Sequence, residues 1–153
     1  MSRIEASPCR FLCIATPKPF SQITSSSVFS SDNADRWENY PPDRDRVREA
    51  IDALSDPRVV FVTGDIHMNY LGRTTLDGTA ASERCWEVCC TSGNYSPLAS
   101  SLSEVQFDFV SPEPHFPVLA FDPDSGTVEV TFYDVDGNVA FSQVLDDFGP
   151  SAS

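Results

Sequence analysis

Residues Arg58-Val59-Val60-Phe61-Val62-Thr63-Gly64-Asp65-Ile66-His67 decide how the rest of the chain is read. Val59 to Val62 form an unbroken apolar run, which suits a strand buried on both faces, as in a parallel sheet. At Gly64 the absence of a side chain lets the backbone bend. A carboxylate and an imidazole then follow two residues apart, expected on one side of an extended backbone. Ligands in open α/β sheets collect beyond the carboxyl ends of strands, so Asp65 and His67 are the first candidates for a functional pair. Asp65 offers a hard oxygen and His67 a nitrogen, a combination suited to metal ions. The plain alternative is a strand-end aspartate that caps a helix or forms a turn.

Working outward, residues 10–15 (Arg-Phe-Leu-Cys-Ile-Ala) read as a second buried strand, closed by Thr16-Pro17 and Pro19. Serine-rich residues 21–35 are expected to cross the surface or border a cleft. Tyr40-Pro41-Pro42 announces a helix, with Asp43 suited to its amino end. Val47, Ala50, Ile51 and Leu54 recur on one helical face, and Arg44, Arg46 and Arg48 are expected to point elsewhere. Ser55-Asp56-Pro57 stops the helix, so strand, linker, helix and strand make an α/β crossover. Residues 69–84, polar and containing Gly72 and Gly78, read as a loop, and residues 85–90 as a strand. Thr91 to Pro97 is dense in turn residues, and residues 98–105 are predicted as a short helix. Residues 117–122, 127–133 and 138–145 are predicted strands, joined by hairpin turns at 122–126 and 134–138. The fold class is α/β, one domain over residues 1–153, with a mixed sheet and one main helix.

Composition removes several function classes. The chain has 153 residues, 10 Lys plus Arg against 23 Asp plus Glu, and a formal charge of -13. Lys18 is its single lysine. Such acidity repels phosphate backbones and anionic lipid, so neither nucleic acid nor membrane is an expected partner. No run approaches the roughly 20 apolar residues that cross a bilayer, and residues 1–8 lack the pattern of an export signal, so a soluble chain is expected, cytoplasmic as written but with its compartment left unknown. The cysteine count of 5 is odd, so reduced thiols are expected. Neither Cys9 and Cys13 nor Cys85, Cys89 and Cys90 offers the two-residue gap of a zinc site, and buried small hydrophobes are the expectation. A Gly-x-Ser-x-Gly elbow and a phosphate-cradling glycine loop are both missing from the sequence. Residues 134–138 lack the bidentate glutamate of a calcium loop and read as a turn. His115, in Pro114-His115-Phe116-Pro117, reads either as a surface histidine or as a further group approaching the cleft. Trp37 and Tyr40 are expected to pack beside the helix start.

The run Arg36-Trp37-Glu38-Asn39-Tyr40-Pro41-Pro42-Asp43-Arg44, followed by a helix and then by Val59 to His67, resembles the carboxyl-terminal half of the alkaline phosphatase D (PhoD-like) family of calcineurin-like metallophosphoesterases. The motifs that carry the resemblance are Trp37-x-x-Tyr40 and Gly64-Asp65-x-His67; Trp86-Glu87-Val88 leading into Thr91-Ser92-Gly93 resembles the family's next strand and loop more weakly. The resemblance implies half of an αββα sandwich and metal-dependent phosphoester hydrolysis. Asp65 and His67 would be catalytic metal ligands, with iron on His67 and calcium beside Asp65, and Asn94 and His115 would contact a small phosphoester substrate. The family's other ligands, an amino-terminal aspartate, a bridging aspartate and an asparagine, have no counterpart found before Arg10. The expectation is therefore a partial catalytic domain completed by a second chain or by self-association. The alternative is a non-catalytic remnant or binding module that keeps the fold without the centre. An incomplete sheet exposes a strand edge, so association or poor solubility is expected of the isolated chain. Sedimentation checks this, and a sharp monomer boundary with cooperative melting would contradict it.

Overall fold

The structure, a computed structural model, describes residues 9–23, 36–54, 58–74, 85–90 and 107–148. Strands β1 (Phe11–Ala15), β2 (Arg58–Thr63), β3 (Asn69–Arg73), β4 (Cys85–Cys89) and β5 (Phe109–Ser111) make a five-stranded sheet in the order β1-β2-β4-β3-β5. Strands β1, β2 and β4 run parallel, with Leu12 beside Val59 and Val60 beside Trp86. Strand β3 is antiparallel to both β4 and β5. Helix α1 (Pro41–Asp52), entered from a 3₁₀ turn at Trp37–Asn39, makes the crossover between β1 and β2. Strands β6 (Phe116–Asp122), β7 (Thr127–Tyr133) and β8 (Val139–Leu145) form a separate antiparallel meander.

Side-chain alternation stacks these elements into three layers, helix on sheet on sheet. Even-numbered residues of the central strands, Val60, Trp86 and Val88, join Leu71 against Val128, Val130, Phe132 and Leu145 of the meander. Odd-numbered residues, Val59, Phe61 and Cys85, pack with Ile51 of α1 and with Phe20, flanked by Leu12, Ile14 and Val47. A further cluster on that face holds Ile23, Ile66, Met68, Tyr70, Cys89 and Phe107. The meander is clasped to the main sheet at its β6–β7 turn. There Arg10 donates to the Pro123 carbonyl and Arg58 Nη1 to the Gly126 carbonyl at 2.7 Å. Gly126 has φ +75, and a side chain on it would run into the Arg10 guanidinium. In the two turns Asp122 and Asp134 accept backbone N–H groups two to four residues on. Side-chain hydrogen bonds from Ser125 to Asp122 and from Asn138 to Asp134, followed by those backbone bonds, hold both carboxyls below their ordinary range.

Several sequence expectations need correction, among them the burial of the cysteines, which fails for the exposed Cys9 and Cys13. Residues 69–84 do not begin as a loop: Asn69–Arg73 is β3, because Tyr70 and Leu71 both find buried positions once the strand is paired on each side. Arg44 does not point away from the apolar face. It is buried, since it lies three residues before Val47 and seven before Ile51 and so shares their side of the helix. The short β5 was not anticipated, and the helix predicted at 98–105 lies outside the described residues.

Truncating Phe132, fully buried between the sheets, is expected to destabilise the fold by about 3–5 kcal/mol in urea unfolding. Phe116→Ala, on the outer face of the same meander against Tyr133, is expected to cost less than about 1 kcal/mol.

Candidate active site

Because β1, β2 and β4 are parallel, their carboxyl ends share one edge of the sheet, and that edge gathers most of the candidate residues. The segment 64–68 leaves β2 there and crosses over the end of β4 to reach β3 on its far side. The backbone of this crossing is not extended. Asp65 (φ 75) and His67 (φ 57) both adopt left-handed conformations, each costing on the order of 1 kcal/mol or more for a residue with a side chain. The reason is topological: the chain must reverse direction within five residues, and Ile66, between the two, is driven into the cluster around Met68 and Tyr70. Burial of Ile66 leaves the side chains of Asp65 and His67 exposed above the sheet edge.

Lys18 reaches this edge from the end of β1 and forms an ion pair with Asp65 Oδ2. The Cys90 amide, at the end of β4, donates to the Thr63 carbonyl at 3.1 Å, and its thiol to the His115 carbonyl at 3.3 Å. His115 Nδ1 lies 2.7 Å from the Glu113 carbonyl, and its ring meets Phe109 edge-on. The His115 backbone thus approaches the same end of the sheet. Burial pushes the Cys90 thiol up, away from thiolate character. Asn94 lies outside the described residues. Among the described residues no group of three or more His, Cys, Asp or Glu side chains could hold a metal ion. Asp65 and His67 supply the right donor types for iron or calcium, yet as two donors they fall short of the roughly four to eight such ions require.

Beneath the edge lies a residue that sequence reasoning passed over. Glu87, in the middle of β4, is 0% exposed. Its carboxylate accepts from the Phe20 and Ser21 amides, each at 2.9 Å, and from the hydroxyls of Ser21 (2.5 Å), Thr63 (2.8 Å) and Tyr70 (2.7 Å). It shares the helix-side face with Cys85 and Cys89 and sits between their two apolar clusters. The signal was a lone acid inside Cys85-Trp86-Glu87-Val88-Cys89, a run whose every residue is buried. Burial, and then the charge of Glu87 beside it, push the Tyr70 phenol well above its ordinary 10.0.

The profile of the PhoD-like phosphatase family matches residues 1–136. The chain belongs to the PhoD-like phosphatase family. A solved structure titled "Structure of PhoD" superposes with a TM-score of 0.66 at 16% identity, covering 94% of this chain and 30% of that one. That likeness bears on the fold, and it bears out the mixed α/β architecture with one main helix. The chain therefore spans less than a third of the length of the structure it matches. A search of curated proteins returned no match. PhoD-like phosphatases are metal-dependent, and in this chain Asp65 and His67 lie at the carboxyl end of β2.

Tyr70→Phe removes one hydrogen bond to a buried carboxylate and is expected to cost about 1.5–3 kcal/mol at neutral pH. The native state holds this phenol neutral, so its contribution is complete below pH 10.0 and is lost as pH rises past that value toward the raised folded pKa. Wild-type protein should lose urea stability progressively above that pH and Tyr70→Phe should lose less; parallel pH profiles would contradict the assignment.

Proposed function

We propose that this chain is part of the catalytic domain of a metal-dependent phosphoester hydrolase, with Asp65 and His67 as metal ligands. The observation that carries the reading is the pair of exposed donors held in left-handed backbone at the carboxyl end of a central parallel strand, in a chain of a phosphatase family. Strained backbone of this kind persists where a functional geometry is over-determined by its surroundings. Asp65 would offer oxygen to a hard cation such as calcium, and His67 nitrogen to iron. When bound, such ions polarise the phosphoryl oxygens and lower the pKa of water. The remaining ligands would come from residues outside those described or from a second polypeptide. Strand β1 is where further strands would add, whether from the rest of the protein or from a second polypeptide, because among the described residues it is paired on one side only and an apolar parallel edge is an acceptor for further strands. His115 and Asn94 would border the substrate, a small phosphoester.

A second reading, a folded remnant or binding module without a metal centre, is favoured by the Lys18–Asp65 ion pair, in which an ammonium already occupies one of the two candidate donors. Elemental analysis and hydrolysis of p-nitrophenyl phosphate separate the two. The catalytic reading expects stoichiometric metal in the wild-type chain and turnover, with both falling at least tenfold in His67→Ala and Asp65→Asn. A folded, metal-free and inactive wild-type chain would establish the remnant.

A further inference from the structure

Next to the Asp65 edge, between the end of β1 and the start of α1, lies an open cleft of about 400 Å³ lined by Thr16, Pro17, Lys18, Trp37, Tyr40 and Asp43. Its size lies within the range of small-molecule sites and admits one or two fused rings. Trp37 is the fixed wall. Its indole N–H donates to Thr16 Oγ1 at 3.0 Å, and its ring meets Phe20 edge-on, while Phe20 is stacked at 4.3 Å on Phe61 of the core. Tyr40 is the opposite case: the residue is 50% exposed, though its amide donates to the Trp37 carbonyl and its own carbonyl accepts from the Asp43 and Arg44 amides. The expectation that both aromatics serve packing therefore holds for Trp37 and fails for Tyr40, a large ring presented to solvent by a rigid backbone. Charge completes the arrangement. Lys18, the single lysine of an acidic chain, lines the cleft and touches Asp65, so the cleft and the candidate catalytic edge are contiguous. At the outer rim Asp43 is paired with Arg46, which tempers its repulsion of an anion.

We propose that this cleft seats a flat aromatic group of the substrate, so that the chain selects phosphoesters whose organic part carries an aromatic ring. The ring would lie against Trp37 and Tyr40, and the Lys18 ammonium would exchange its contact with Asp65 for a phosphoryl oxygen. The seat rests on the phosphoester reading for the identity of the charged group, but not for the ring.

Calorimetric titration with phenylphosphonate and methylphosphonate tests this, because the two carry the same charged head and differ in the ring. Phenylphosphonate should bind about tenfold more tightly. Tyr40→Ala, a change at an exposed position, should bring the ratio to near one, and Tyr40→Phe should restore it. Lys18→Met keeps the apolar stem and should weaken both ligands alike. Equal affinities in the wild type, or a ratio untouched by Tyr40→Ala, would overturn the proposal. Should neither phosphonate bind, uncharged benzyl alcohol decides. Benzyl alcohol binding that Tyr40→Ala abolishes would uphold the ring seat and count against the phosphoester reading alone, and no binding would overturn the seat as well.

Discussion

A single buried carboxylate holds together the sheet edge that carries the candidate site. Glu87 draws donors from the segment after β1, from the end of β2 and from β3, while itself sitting in β4. A buried carboxyl is tolerated only when its lone pairs are filled, and here five donors converge on it. The consequence is geometric. Phe20 and Ser21 cannot drift without breaking two hydrogen bonds from their backbone N–H groups, so the preceding Pro17-Lys18 segment is held, and Thr63 is held likewise, so Gly64 to His67 start from a fixed point. Lys18 and Asp65 each lie two residues from a residue tied to that acid, and Trp37 packs on one of those residues, Phe20.

The architecture was legible where periodicity is unambiguous. The apolar run of β2, the proline-led start of α1 and the aspartate-glycine turns of the meander each carry a local physical cause, and each element forms where that cause places it. Strands β3 and β5 were illegible because what makes them strands is pairing, not pattern: Asn-Tyr-Leu-Gly-Arg has no clean alternation and gains its form from neighbours on both sides. Arg44 was misread because a charged side chain was assumed to seek water, although its helical spacing put it on the buried face.

The candidate site was legible in part. Gly64-Asp65-Ile66-His67 lies at the expected strand end, but the expectation of extended backbone fails, since the sequence alone does not reveal that the next strand returns across β4 within five residues. Lys18 could not have been linked to Asp65 without knowing that β1 and β2 are adjacent and parallel. Glu87 was visible as an anomaly in an apolar run and went unread. What unites these omissions is that each depends on strand order, which no local window contains.

Metal binding by His67 is the decisive property. X-ray absorption at the iron edge, recorded on the full chain loaded with ferric iron, reports the ligands directly. The account predicts imidazole back-scattering at roughly 2.0–2.2 Å that disappears in His67→Ala and persists in His115→Ala. A spectrum of oxygen ligands alone, identical in wild type and His67→Ala, would contradict it.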